Sequence, residues 1–330
     1  MIEISNILEQ KLNKFAFKVA IITDDRVADL YGNDLLRRNQ GAYLFSFPHG
    51  EKYKTRATKE YLENQLLENR FSKDSCIIAL GGGVVTDIAG YIAATYCRGI
   101  GLVMMPTTLL GMVDASIGGK NGVNTPYGKN MIGCMYQPHK IIIDLATLKT
   151  LPNKEFANGV VEMIKHGLIA NLGYFETLEK EFSLKDAIIE SCRIKHAIVQ
   201  DSEKEKETRH LLNFGHTVGH ALEHVTEYAL SHGESVAIGM LVESYIAFKL
   251  GSIKESLLKR IKQCLSFHKL PLYLPPCDIG MIMDLIALDK KSLNAKPRFV
   301  IIGKTPQCVY VEESLVREAL MWMKDELCCH

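Results

Sequence analysis

From Lys18 to Met105 the chain alternates short, densely β-branched runs with stretches of helical spacing, and this alternation leaves few folds open. Lys18-Val19-Ala20-Ile21-Ile22-Thr23-Asp24 reads as a buried strand with a polar tip. Ala42-Tyr43-Leu44-Phe45-Ser46-Phe47 reads as a second strand, and Ser75-Cys76-Ile77-Ile78-Ala79-Leu80 as a third. Between the last two, Tyr61, Leu62, Leu66 and Leu67 recur at helical spacing over Lys54 to Arg70. Leu102-Val103-Met104-Met105 then runs as a strand into a loop at Pro106. Strands alternating with helices predict a parallel sheet with crossover helices. The density of β-branched residues fits strands covered on both faces.

The character changes after Leu151-Pro152. Helical patterns then dominate, over Leu184 to Val199, His216 to Tyr228, Gly233 to Leu250 and Ile253 to Phe267. A late strand pair is expected at Arg298 to Ile302 and Cys308 to Val311. The expected organisation is an α/β domain over residues 1–151 and a mainly helical domain over 152–330, each within the usual domain size.

Composition removes several classes. With 39 Lys and Arg against 38 Asp and Glu, the net charge of +1 lacks the basic excess of a nucleic-acid binder. Met1 to Asn6 carry neither the basic stretch nor the apolar run of a secretory signal. The best membrane candidate, Gly90 to Pro106, is interrupted by Arg98 and falls short of about 18 apolar residues. Nine scattered cysteines, with no Cys-x-x-Cys pair, point to free thiols and a cytoplasmic setting.

Three segments carry chemistry. Gly81-Gly82-Gly83-Val84-Val85-Thr86-Asp87 follows a predicted strand and leads into the apolar helix Ile88 to Thr95. Glycines at such a junction let a phosphate approach the backbone, and a helix N-terminus favours the anion. The spacing is not Gly-x-Gly-x-x-Gly, and a tight turn with Asp87 as a helix cap would look the same. The second segment is a long polar loop from Asp114 to Asn130, holding Lys120, Gly122, Gly128 and Lys129, which could cradle an anion through point charges and backbone N–H groups. A solvated loop with idle lysines is the plainer explanation of the same residues.

The third segment is rich in histidine: seven of the eleven fall between His166 and His232. His216 and His220 lie four apart, on one helical face. Glu162 stands in the mostly apolar stretch Gly159-Val160-Val161-Glu162-Met163-Ile164-Lys165, where a lone carboxylate is expensive. One Glu and two His with an open position describe a catalytic zinc site. Spacing alone nominates His216 and His220, with Glu162 or Glu223 as third ligand. Lys165, Lys195 and Arg209 flank these elements and would suit an acidic, oxygen-rich substrate, although singly each reads as a solubilising charge.

Taken together these segments resemble the 3-dehydroquinate synthases, sugar-phosphate cyclases of the shikimate pathway, over nearly the whole chain. The carriers are Gly50-Glu51-Lys52-Tyr53-Lys54, Gly81 to Asp87, Pro106-Thr107-Thr108-Leu109-Leu110 and Asp114 to Asn130. They continue through Glu162-Met163-Ile164-Lys165-His166-Gly167, Arg209 to Thr217, His232-Gly233-Glu234 and Asp289-Lys290-Lys291. The resemblance implies a Rossmann-like N-terminal domain holding NAD, a helical C-terminal domain holding zinc or cobalt, and an active site between them. It implies Glu162, His216 and His232 as metal ligands, which moves His220 from ligand to substrate contact. NAD contacts would fall to Asp24, Glu51, Lys52, Tyr53, Lys54, Gly83, Val84, Val85, Thr86, Asp87, Thr107, Thr108, Lys120, Lys129, Thr147, Leu148, Lys149 and Thr150. Substrate contacts would fall to Arg98, Asp114, Lys120, Asn130, Lys165, Lys195, Arg209, Asn213, His220 and one of Lys290 and Lys291. Of these, Lys120, Lys165, Lys195, Arg209, Asn213 and His220 are the implied catalytic set.

The implied reaction converts 3-deoxy-D-arabino-heptulosonate 7-phosphate to 3-dehydroquinate and phosphate. It proceeds by transient oxidation, phosphate elimination with the phosphate as its own base, re-reduction and intramolecular aldol closure. The resemblance also implies a homodimer with Arg98 reaching the neighbouring subunit, and no nucleic-acid or membrane partner. Two positions depart from the family pattern, both on the NAD side: Thr86 where Gly often precedes the Asp, and Arg26 where the long form has Asn. The rivals are a related cyclase acting on another sugar phosphate, a metal-dependent polyol dehydrogenase and a non-enzymatic NAD- or metal-binding protein. Phosphate release, net NADH formation, and metal content without turnover separate them.

Overall fold

The computed structural model describes residues 1–201, 208–288 and 297–325. The chain forms two compact units, Met1–Phe156 and Ala157–His330.

The first unit is built on a six-stranded parallel sheet. Its strands are β1 (Ile2–Ile4), β2 (Val19–Asp24), β3 (Tyr43–Phe47), β4 (Cys76–Gly81), β5 (Gly101–Pro106) and β8 (Lys140–Ile143), in the order β1-β8-β5-β4-β2-β3. Val19 to Ile22 and Cys76 to Leu80 are buried without alternation, because both faces of the sheet are covered. Ile21, Ile78, Leu80, Val103, Met105 and Ile142 form its centre, and each such side chain contributes about 1.5–3 kcal/mol on burial. The helices are α1 (Asp25–Val27), α2 (Asn33–Arg37), α3 (Arg56–Glu68) and α4 (Gly83–Thr95), with α4 packed on β4 and β5. The chain runs from β2 to β3 on one side and returns to place β4 on the other side of β2. That reversal falls between β2 and β4, whose carboxyl ends are the customary ligand position in open α/β sheets.

The expected polar loop from Asp114 to Asn130 is instead largely a β-hairpin. Strands β6 (Lys120–Thr125) and β7 (Gly128–Met135) pair antiparallel around Pro126 and Tyr127. Its glycines read as loop punctuation but serve close packing. A Cβ on Gly133 would lie 2.0 Å from the Asn121 carbonyl oxygen, and one on Gly90 of α4 would lie 1.8 Å from Asn121 Oδ1. Strands β1 and β8, three and four residues long, were not among the expected strands.

The second unit is helical, with α5 (Asn153–Ala170) straddling the division between the units. It continues through α6 (Leu172–Leu178), α7 (Leu184–Asp201), α8 (His216–Val225), α9 (His232–Lys249), α10 (Glu255–Phe267), α11 (Ile279–Leu288) and α12 (Glu313–Asp325). Strands β9 (Arg298–Ile301) and β10 (Gln307–Tyr310) pair antiparallel, as expected. Helix α9 is buried around nearly its whole circumference and packs against α8, α10, α12 and β9, so it is the axis of this unit. Helix α8 stops at Val225, short of the expected Tyr228, because Glu227 and Tyr228 turn into the left-handed region at φ 48° and 64°.

Candidate active site

In the first unit, several residues singled out from sequence gather at the carboxyl ends of the central strands. Asp24 ends β2, and its Oδ1 caps α1 by accepting from the Val27 N–H at 2.9 Å. Burial pushes the Asp24 carboxyl above its ordinary value. The Gly81-Gly82-Gly83 turn ends β4 and opens α4, whose N-terminus has no side-chain cap. Thr107 follows β5 and donates its N–H to the Gly81 carbonyl at 3.0 Å. Thr86 is buried, with its hydroxyl donating to the Gly83 carbonyl at 3.0 Å, so this departure from the family pattern points its side chain into the helix.

Lys54 is the hub of this edge. Its side chain is buried, and its ammonium lies 2.5 Å from Asp87 Oδ2 on α4 and 2.5 Å from Asn130 Oδ1 on β7. The hairpin is tied to the same place twice more. Asn124 donates its N–H to the Lys54 carbonyl at 2.8 Å and its side-chain amide to Glu51 at 2.7 Å. Asn130 stands in the left-handed region at φ 56°, its N–H donating to Asn124 Oδ1 at 2.9 Å. Lys120 is exposed, while Asp114, Thr108 and Lys129 are half-buried. Lys52 lies over the ring of Tyr53 at 5.0 Å. Thr147 and Leu148 are buried in the turn after β8, and Thr150 meets the Tyr31 hydroxyl at 2.6 Å. Arg98 is exposed at φ 60° between two other positive-φ residues, Cys97 and Gly99.

In the second unit the structure brings Glu162, His216 and His232 together. Glu162 Oε1 is 3.7 Å from His216 Nε2 and 3.8 Å from His232 Nε2. Glu162 is fully buried in α5, neither of its carboxylate oxygens accepts a hydrogen bond, and Lys165 one turn on makes an ion pair with Oε2. A buried carboxylate oxygen facing two imidazole nitrogens without hydrogen bonds is costly unless a cation belongs between them. Ligands bound tetrahedrally at about 2.1 Å stand roughly 3.4 Å apart, close to the separations found. Both imidazoles present Nε2 inwards and Nδ1 to an acceptor: the Phe214 carbonyl at 3.1 Å for His216, and Glu223 Oε1 at 3.6 Å for His232. Burial, with the Lys165 charge and the neighbouring imidazoles, pushes His216 well below its ordinary value. That direction favours the neutral ring, the form a metal requires. Burial also lowers His232, but Glu223 and Glu162 outweigh it and raise the group. The Glu–His–His donor set fits a divalent cation of zinc type.

Backbone contacts set these positions. Gly215, at φ 78°, turns the chain into α8 immediately before His216. Gly239 of α9 lies against it so closely that a Cβ would fall 1.9 Å from the Gly215 carbonyl oxygen. His232 opens α9, where Ser231 and Glu234 form a reciprocal capping box. The Ser231 hydroxyl also donates to Asn158 Oδ1 at 2.8 Å, and Asn158 lies one turn before Glu162 on α5. Asn158 thus ties the helix bearing His232 to the helix bearing Glu162. Sequence reasoning passed over Asn158, although its four-residue spacing from Glu162 was the available signal.

The histidine pair nominated by spacing stays adjacent in the structure, but of the two it is His216 that faces Glu162. His220 is exposed, its ring 5.4 Å from that of His216, and its donor converges with Glu223 and His232 rather than with Glu162. Lys165 and Lys195 are buried, Arg209 is half-buried and Asn213 exposed. The segment carrying Arg209 and Asn213 packs against α7, which carries Lys195. Lys290 and Lys291 lie outside the described residues.

A Rossmann-like parallel unit followed by a helical unit that brings Glu162, His216 and His232 together defines a chain with a dinucleotide-type sheet and a metal-type donor set. Two solved cyclases share the fold. One is 2-epi-5-epi-valiolone synthase from Streptomyces hygroscopicus subsp. jinggangensis, with NAD+ and Zn2+ bound (TM-score 0.90, 25% identity, 99% of this chain and 97% of that one). The other is 2-deoxy-scyllo-inosose synthase complexed with carbaglucose-6-phosphate, NAD+ and Co2+ (TM-score 0.83, 24% identity, 98% and 96%). Residues 44–158 match the 3-dehydroquinate synthase N-terminal family and residues 159–292 the C-terminal one. The 3-dehydroquinate synthase of Sulfurovum sp. is 41% identical over 324 residues, covering 95% of this chain and 93% of the relative. The chain belongs to the 3-dehydroquinate synthase family. No helix among the described residues is long and apolar enough to cross a membrane.

Proposed function

We propose that this chain converts 3-deoxy-D-arabino-heptulosonate 7-phosphate into 3-dehydroquinate and phosphate, using NAD and a divalent cation, zinc or cobalt. The observation that carries the proposal is the convergence of His216 and His232 on the buried Glu162 in a chain of this family. When bound, NAD supplies a reversible hydride acceptor and the cation supplies Lewis acidity at the substrate alcohol.

The chain's own residues bind and orient. Asp24, the Gly83 to Asp87 turn, Thr107 and Thr108 would seat the dinucleotide at the sheet edge, where the uncapped start of α4 favours a phosphate. Asp87 neutralises Lys54, so this lysine braces the dinucleotide edge rather than binding an anion itself. Because Asn130 Oδ1 accepts from Lys54, its amide NH2 is the end left to donate to the substrate phosphate, beside Lys120 and Arg98. Lys165, Lys195 and Arg209 would hold the substrate carboxylate, with Asn213 and His220 orienting its hydroxyls. Lys195 is buried, where water screens its charge poorly, while the charge of Lys165 is shared with Glu162. Much of the rate would then come from positioning and electrostatics. The protein would act as a cytoplasmic homodimer, with Arg98 serving the neighbouring subunit.

The test compares kcat/KM for the heptulosonate phosphate with that for sugar phosphates lacking a carboxylate. Turnover confined to the carboxylate-bearing substrate supports the proposal. A preference for a neutral sugar phosphate would assign the chain to another cyclase reaction.

A further inference from the structure

We propose that Glu223 is the positioning residue of the metal trio, holding His232 with Nδ1 protonated and Nε2 turned to the cation without itself ligating. The proposal rests on the metal reading above. The His232 ring lies between two carboxylates, Glu162 Oε1 at 3.8 Å from Nε2 and Glu223 Oε1 at 3.6 Å from Nδ1. Only one of these can be the ligand if His216 and His232 serve the same cation. Both imidazoles turn Nε2 to Glu162, and neither Glu162 oxygen accepts a hydrogen bond. Glu223 faces the opposite edge of His232, as the Phe214 carbonyl faces the opposite edge of His216.

The two outer acceptors differ for a structural reason. His216 opens α8 directly after the Gly215 turn, so its own backbone reaches back to Nδ1. His232 is the first residue of α9, where the preceding Ser231 is committed to the capping box and to Asn158. Its Nδ1 therefore needs a partner from another element. Glu223, seven residues after His216 on α8 and 4% exposed, reaches it. An outer acceptor of this kind fixes the tautomer and ring orientation and makes the ligating nitrogen a better donor.

There is a competing use of the same residues. Donor atoms of His220, Glu223 and His232 lie within 4.8 Å of one another, so they could instead hold a second cation. The experiment uses the full-length protein with zinc alone, comparing wild type, Glu223→Gln and Glu223→Leu. Glutamine keeps an acceptor oxygen and leucine removes it. We expect one equivalent of zinc in all three. By chelator competition Glu223→Leu should bind roughly 10- to 100-fold more weakly, with Glu223→Gln in between. The visible spectrum of the cobalt-loaded forms should keep its band pattern, since the number of ligands does not change. Metal-free melting temperatures separate a fold defect from a site defect, and if the leucine variant fails to fold, the glutamine variant decides. Zinc affinity equal to wild type would overturn the proposal. So would two equivalents in wild type falling to one in the variants, which would make the trio a cation site. Wild type that holds no zinc at all would instead overturn the metal reading.

Discussion

Substituting Gly239 by alanine should damage the metal site from a distance. A Cβ there would fall 1.9 Å from the Gly215 carbonyl oxygen and 2.9 Å from its carbonyl carbon. A carbon–oxygen contact relaxes only near 3.3 Å, so α8 and α9 must part by about 1.4 Å at this point. The obstacle is backbone on both sides, and no side chain can rotate away. Overpacking of a close-packed core costs about 1–3 kcal/mol, and this contact belongs at the upper end. A loss of about 3 kcal/mol in a unit of this size lowers Tm by roughly 6–12 °C. The displaced carbonyl belongs to the residue before His216, while metal–ligand distances tolerate only about 0.2 Å. Zinc affinity should therefore fall by at least about tenfold, beyond what the fold alone loses. The assay is thermal unfolding of the metal-free protein together with chelator competition for zinc. A Gly239→Ala protein that melts and binds zinc like wild type would refute the packing argument.

Removing the metal with a chelator should abolish turnover, and zinc or cobalt should restore it. Metal at a hundred times Kd should also stabilise the fold by about 2.7 kcal/mol, read as a rise in Tm. Lys54→Met should leave Asp87 without its cation, costing on the order of 3 kcal/mol and weakening NAD binding in a fluorescence titration. Burial lowers the His268 imidazole below its ordinary value, while its Nε2 meets the Leu178 carbonyl at 2.8 Å. Its folded form favours the neutral ring. The stability this contributes is present above the ordinary histidine range and is lost as pH falls through the lowered value. His268→Gln should flatten that acid-side decline in urea unfolding measured against pH.

Four strands of the sheet were legible because they are largely apolar runs of five or six residues, as Val19–Asp24 and Cys76–Gly81 show. The hairpin was not, since Lys120 to Met135 are mostly polar or glycine and gain their strand form by packing on α4 rather than by pattern. At the site, helical spacing paired His216 with His220, because periodicity registers only neighbours on one helix. His232 begins a different helix, set against His216 by the Gly239–Gly215 contact and against Glu162 by the Asn158–Ser231 hydrogen bond. The glycine contact leaves no local signature, and the other leaves only the four-residue spacing of Asn158 from Glu162. The family resemblance named His232, while the reason it arrives there had to come from packing. Spacing offers Glu223 as a ligand, and its place against Nδ1 rather than Nε2 is visible only in three dimensions.

The most direct test of the account is to supply the heptulosonate phosphate with substoichiometric NAD and saturating zinc, following released phosphate and NADH absorbance together. The account predicts many equivalents of phosphate and dehydroquinate per NAD, with no net NADH. NADH accumulating mole for mole with oxidised substrate, and no phosphate released, would contradict it and identify a dehydrogenase.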